Sequence, residues 1–186
     1  MPVLRKKRAY HHGDLRASLV EATLAIIDHD GVEAVSLSQA ARRLGVSPQA
    51  VYNHFDDKSA LLAACAEHVL LALDVHSQAL VGTPNERLEQ LGIKYVEFAV
   101  AHPKRFALLG VVRSTQPTLL TAVKKLIDEC IAAKLIHGKH AESLAQVAFA
   151  MVHGVAWLAI DEHQDHDAAV RSAKLAMRTL WRGLGV

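Results

Sequence analysis

An all-helical fold is what this sequence predicts, and three observations carry the prediction. Of its 186 residues 51% are hydrophobic but only 5% aromatic, with five prolines. Apolar residues recur at i, i+3, i+4 and i+7 in one segment after another, the spacing of a single helical face. Those segments open on capping patterns and close on glycine or on a residue before proline. The length suits one or two compact units with a real core.

The elements follow in chain order. Arg5-Lys6-Lys7-Arg8, then Tyr10-His11-His12-Gly13, has no apolar period and reads as a basic arm able to reach phosphates or a minor groove. A solvated tail is the plainer alternative. Leu15, Leu19, Ala22 and Ile26 stripe a helix from about Asp14 to His29, with Gly31 as its positive-φ terminator. Ser36-Leu37-Ser38-Gln39 has the S-x-x-Q form of a capping box. Leu37, Ala40, Ala41 and Leu44 then share one face, Gly45 ends the helix and Val46 packs back across that end. Ser47 caps the next helix, and Pro48 stands at its first position, where a missing N–H costs nothing.

Within that second short helix Val51 and Phe55 turn inward. Gln49, Ala50, Tyr52, Asn53 and His54 are left on the exposed faces, over a reader expected to run Pro48–His54. Two helices around a tight glycine turn, the second with a polar N-terminal end, form the layout that docks in a major groove. An ordinary helical hairpin in a core would show the same bare pattern. Asp56-Asp57-Lys58-Ser59 starts a fourth helix whose first N–H groups could take a DNA phosphate, with Lys58 adding charge and the two carboxylates pointing away.

Residues 13–65, about a third of the chain, resemble the DNA-binding domain of the tetracycline-repressor (TetR) family of bacterial regulators. The segments that carry the likeness are HHGDLRASLVEAT, the link Gly31–Ser36, and AARRLGVSPQAVYNHFDDKSALL with its Leu-Gly-Val-Ser and Tyr-x-His-Phe-x-x-Lys runs. The resemblance implies that Ser36, Ser38, Ser47, Gln49, Ala50, Tyr52, Asn53, His54 and Lys58 lie at or near DNA. Tyr52, His54 and Lys58 would mainly hold phosphates, while Gln49 and Ala50 would face the groove, where Gln pairs with adenine and an Ala methyl packs on thymine. Pro48 and Asn53 stand at positions that vary in the family, so base preference does not carry over.

The remaining chain reads as further helices, about nine in all. A long fourth one runs from about Asp57 to Leu80 with Leu61, Leu62, Cys65, Val69 and Leu73 on one stripe, a rigid lever out of the first unit. Val81-Gly82-Thr83-Pro84 breaks it, and Thr83-Pro84-Asn85-Glu86 opens the next as another capping box. A helix carrying Leu88, Leu91, Tyr95 and Phe98 ends at His102-Pro103. A short one follows from Lys104 to about Gly110, then a loop Arg113–Pro117 and a helix to about Leu135. The last two helices run Ala141–Ile160 and about Asp167–Leu184. The division expected is a DNA-binding domain, 1–56, with the basic arm, and an effector-binding and dimerisation domain, 57–186.

The last two helices are apolar on more than one face. Ala145, Ala148, Gly154, Ala156 and Ala173 would allow close helix approach, either inside one chain or in a four-helix bundle between two copies. The family likeness favours a homodimer through these helices. Such a reader needs two copies to reach half-sites about 34 Å or more apart on a palindromic double-stranded operator. The likeness also implies a cavity for a small-molecule effector, with Tyr95, Phe98, Phe106, Cys130, Phe149, His153 and Trp157 as candidate lining. Core filling is the plainer reading of each one taken singly. Val152-His153-Gly154 with Trp157 is similar to a family subset bearing Trp-His-Gly there, with Val152 in place of the tryptophan.

Other classes find little support. The formal charge is only +2, so a basic footprint must be local. No uninterrupted apolar run approaches the ~20 residues of a membrane helix, and MPVLRKKRAY lacks an apolar signal core, so no membrane partner and no export are expected. Cys65 and Cys130 lack C-x-x-C spacing and read as free thiols of a reducing cytoplasm, with a redox pair as the alternative. Asp161–Asp167 has the composition of a metal loop but no tight ligand spacing, so neither metal nor cofactor is expected. G-x-S-x-G, P-loop, H-E-x-x-H and Rossmann patterns are absent, and the twelve histidines converge on no template, so no enzyme is expected. The reading is a ligand-responsive, DNA-binding regulator whose expected output is repression. Its rivals are a small-molecule sequestering protein and an architectural DNA binder whose affinity tracks salt more than sequence.

Overall fold

The computed structural model describes residues 15–112, 117–136 and 141–183. The basic arm Arg5–Arg8, the segment Tyr10–Gly13, Asp14, most of the loop 113–117, residues 137–140 and the end at Leu184 lie outside the described residues. The described part holds helices and no strand: α1 (Leu15–Asp30), α2 (Leu37–Leu44), α3 (Pro48–Tyr52), α4 (Lys58–Gln78), α5 (Pro84–Ala101), α6 (Pro103–Val111), α7 (Pro117–Ala132), α8 (Ala141–Asp161) and α9 (His166–Gly183).

Local chemistry sets the boundaries. Gly31 and Gly45 take positive φ, 88° and 69°, and each closes a helix where a side chain would strain the backbone. After α2 the Val46 N–H reaches back to the Ala41 carbonyl over 3.0 Å. The Ser36 hydroxyl accepts from the Gln39 N–H (3.2 Å) and donates to the Gln39 side chain (3.3 Å). Gln39 therefore meets the cap's hydroxyl rather than its backbone N–H, so only half of the expected reciprocal box forms. At α5 the Thr83 N–H and hydroxyl both donate to the Glu86 carboxylate, 2.8 and 2.7 Å, which holds that carboxyl below its ordinary range.

Two extents differ from the sequence expectation. The reader helix stops at Tyr52, with Asn53 as its C-cap, rather than running to His54. The next residues must turn to bring Phe55 inward, and the His54 and Phe55 N–H groups both close on the Val51 carbonyl. Similarly α7 ends at Ala132, short of Leu135, because Lys134 adopts φ 57° and the Leu135 N–H folds back to the Cys130 carbonyl (2.9 Å). At the other end of α8, Asp165 caps α9 by accepting from the Ala168 N–H over 2.7 Å.

Packing builds two regions on one continuous apolar core. In the first, α1 packs on α2 and α4, and α2 on α3. In the second, α5 packs against α7, α8 and α9, while α8 touches α7 and α9. Helix α4 contacts α1 on one side and α5, α6 and α7 on the other, so it joins the regions as a lever requires. Gly92 sits where α5, α8 and α9 converge. A Cβ there would lie 3.2 Å from Val152 and 3.3 Å from Met177, so glycine permits that close approach.

Helix α8 holds no uninterrupted apolar run as long as a membrane helix needs, since Gln146 and His153 interrupt it. By length and composition alone it is apolar enough to cross a bilayer, with a mean hydropathy of 1.6. One of its faces packs on α5, α7 and α9. Ala145, Ala148 and Ala156 of α8 and Ala173 of α9 are buried within the chain, whereas Gly154 is exposed. Most of the small residues thus serve packing inside one copy.

Candidate nucleic-acid interface

The reader is held from behind. Val51 and Phe55 are buried in the core shared with α1 and α2. The Arg16 guanidinium lies over the Phe55 ring at 5.1 Å. Helix α3 starts where Ser47 accepts the Ala50 N–H over 3.2 Å, with Pro48 in its first turn. That anchoring leaves Gln49, Tyr52, Asn53 and His54 exposed and Ala50 half-buried. Ser38 and Ser47 are exposed beside them, and Ser36 is half-buried. The hydroxyls of Ser36 and Ser47 are already engaged as caps, so both have a structural role.

The start of α4 differs from the expectation. Of the first N–H groups, that of Ala60 is taken by the Asp57 carboxylate, over 2.7 Å. Lys58 folds towards the first unit and donates to the Glu33 carbonyl over 3.2 Å. Sequence reasoning misses two cations. Arg42 and Arg43, in the last turn of α2, are exposed and line a cleft of about 260 Å³ with Ile26, Asp30 and Gln39. Their place opposite the apolar stripe of α2 is the signal that could have found them.

In the second region the candidate lining residues divide. Five of them form one aromatic cluster across α5, α6 and α8. Tyr95 meets Phe106 edge-on at 5.4 Å and Phe149 at 5.7 Å. Phe149 stacks on His153 at 5.3 Å, and Phe106 meets Trp157 at 5.3 Å. The Tyr95 hydroxyl lies 2.9 Å from His153 Nδ1, and the Trp157 N–H donates to His153 Nε2 over 3.1 Å. Burial lowers the pKa of His153 and so favours its neutral form. Phe98 stands apart from the five, beside His102 at 5.2 Å. Cys130 is buried in α7, and burial pushes its thiol up to about 11, with Cys65 raised by the same cause to about 12.

A small cavity lies next to this cluster, with about 20 Å³ of room for the centre of a water molecule. Leu88, Leu91, Val123, Val152 and Met177 contribute apolar walls, and of the seven candidates Tyr95 and Phe149 line it. Among the described residues no three His, Cys, Asp or Glu side chains converge on a possible metal position.

Comparison with known proteins bears on both regions. Residues 19–65 match the family described as "Bacterial regulatory proteins, tetR family", and residues 88–180 match "Tetracyclin repressor-like, C-terminal domain". The chain is 40% identical over 81 residues to the HTH-type transcriptional regulator BetI of Pectobacterium carotovorum subsp. carotovorum (strain PC1). That match takes in 41% of this chain and 42% of the relative's own length. A solved protein of unknown function from Rhodococcus sp. RHA1 has a similar structure, with TM-score 0.80 and 32% identity over 97% of this chain and 100% of that one. A TetR-family transcriptional regulator from Pectobacterium atrosepticum shares the fold, with TM-score 0.75 and 24% identity over 91% and 93% of the two chains.

Proposed function

This chain belongs to the tetracycline-repressor (TetR) family of bacterial transcriptional regulators, and on that premise we propose that it is a homodimeric, effector-released repressor of a palindromic operator. The observation that carries the DNA reading is the exposed row Gln49, Tyr52, Asn53 and His54 on α3 and the turn that follows it, backed by the buried Val51 and Phe55. Groove contacts fall to Gln49 and Ala50. Phosphate contacts fall to Tyr52, His54, Lys58 and the arm Arg5–Arg8, with Ser36, Ser38, Ser47 and Asn53 beside them. Lys58 would exchange its Glu33 carbonyl for a phosphate.

The dimer reading rests on α8. Val147 is 49% and Leu158 57% exposed, and with Met151 and Gly154 they fall at i, i+4, i+7 and i+11, one stripe left uncovered. Only 28% of the most apolar window of this helix is buried in the single chain. A second copy on that stripe would set the distance between the two readers. An effector in the cavity of the 57–186 region would release DNA by binding more tightly to a conformer with the wrong reader spacing. As a member of this family of DNA-binding regulators, the protein would act in the cytoplasm.

Selection from random duplex DNA by the purified chain tests the reading, with a Gln49→Ala, Tyr52→Ala double variant alongside. The expected result is a two-fold symmetric consensus that the variant loses. Weak binding, equal in both proteins and abolished by moderate salt, would reject sequence reading by α3.

A further inference from the structure

The first turn of α1 carries a cation where the helix itself does not favour one. Arg16 is the second residue of this 16-residue helix, and no acidic residue stands in the same turn. A positive charge there opposes the helix dipole, so α1 alone gives no reason for it. What lies across from it does. The Arg16 guanidinium stands over the Phe55 ring, 5.1 Å from its centre. Phe55 follows His54, and the N–H groups of both close on the Val51 carbonyl at the end of the reader. Phe55 is buried while Arg16 is exposed, so the cation covers that turn from the solvent side.

Charge carries the argument further. Affinity for duplex DNA draws heavily on Lys and Arg side chains that neutralise phosphates. The proposed reader row, Gln49, Ala50, Tyr52, Asn53 and His54, holds neither. Lys58, a little further along the chain, is drawn to the Glu33 carbonyl. Among the described residues Arg16 pairs with no carboxylate, although Glu67 lines the same groove. We propose that Arg16 is a phosphate-binding residue of the DNA interface, held by the Phe55 ring beside the end of the reader so that its N–H groups take a backbone phosphate flanking the groove that α3 enters. The inference rests on the DNA reading proposed above and adds a contact which that reading does not contain. A guanidinium suits both tasks, since its flat face packs on an aromatic ring while its five N–H donors lie in its plane. A phosphate contact fixes where the reader sits and carries no base preference. A purely structural cover over Phe55 would need the apolar stem of Arg16 and not its charge.

The test is DNA binding by the full chain across a range of salt concentrations, on the duplex that the selection from random DNA recovers. Arg16→Met keeps an apolar cover over Phe55 and removes the charge, while Arg16→Lys keeps the charge. Lys125→Met removes an equal charge from an exposed position on α7, outside the reader unit. Each lost phosphate contact flattens the plot of log affinity against log salt by about 0.9, hence by about twice that in a dimer. Arg16→Met is expected to show that flattening with the consensus unchanged, its affinity approaching that of the wild type as salt rises. Arg16→Lys and Lys125→Met should both keep the wild-type slope. Urea midpoints separate a loss of folding from a loss of contact, and Arg16→Gln supplies the same comparison should the methionine variant fold poorly. A wild-type slope in Arg16→Met, equal flattening in Lys125→Met, or an altered consensus would each overturn the proposal. A wild-type chain that selects no consensus would instead reject the DNA reading on which it rests.

Discussion

Gly45 shows how much one residue decides. It holds φ 69°, and nothing lies within 4 Å of where its Cβ would stand. A substitution there is therefore penalised by backbone conformation and not by crowding. Gly45→Ala is expected to lower stability by about 1 kcal/mol, read as a shift in the urea midpoint at unchanged slope. An unshifted midpoint would mean that the left-handed turn carries no strain for alanine. The position is legible in the sequence because a glycine directly after an apolar stripe marks a left-handed helix end. His153 is legible only as a histidine in an apolar stretch. Its two bonds, and so its tautomer, depend on where Tyr95 and Trp157 stand.

At the scale of the element, α8 has two different sides. Ala145, Ala148, Val152, Ala156 and Ala159 form the side packed into the chain. Val147, Gly154 and Leu158 are left uncovered. Periodicity alone indicates a helix apolar on several faces, and it does not say which face meets its own chain. Leu158→Glu places a charge in the uncovered stripe without touching the packed one. The expected outcome is a monomer by sedimentation velocity, with the helical circular dichroism retained. A variant that still sediments as a dimer would move the interface away from α8. Helix α3 makes the opposite case, since Ser47 and Pro48 announce its start and only its end departs from the local pattern.

Across the whole molecule the reader unit is tied to the second region by α6 as well as by α4. Arg105 donates to both carboxylate oxygens of Asp28, each over 2.7 Å, and Lys104 donates to the His29 carbonyl over 2.6 Å. These contacts join the end of α1 to the start of α6. The hydrogen bond from Arg105 is the main cause holding the Asp28 carboxyl below its ordinary 3.8. The stabilisation is therefore complete above that value and is lost as pH falls below it, through the lower folded-state pKa. Both partners are partly exposed, so the bond contributes about 1 kcal/mol or less. Asp28→Asn is expected to be less stable than wild type at neutral pH, with the gap closing below about pH 4. Urea titrations across pH check this, and a gap that persists at low pH would assign the loss to packing instead of charge.

The sequence by itself determined the helical class, most of the caps and helix ends, and the start of the candidate reading helix, because each depends on residues within a turn or two of one another. Ser36, Gly45, Ser47, Pro48 and Thr83 act through the backbone beside them, so their spacing is their structure. Only the tertiary structure decided the rest. It brought Tyr95 to His153 across 58 positions, Asp28 to Arg105 across 77 and Lys58 to the Glu33 carbonyl across 25, and left Phe98 out of the cluster. Those outcomes turn on how one helix is rotated and shifted against another. Helical spacing records which side of a helix is apolar, but it carries no record of what that side will meet.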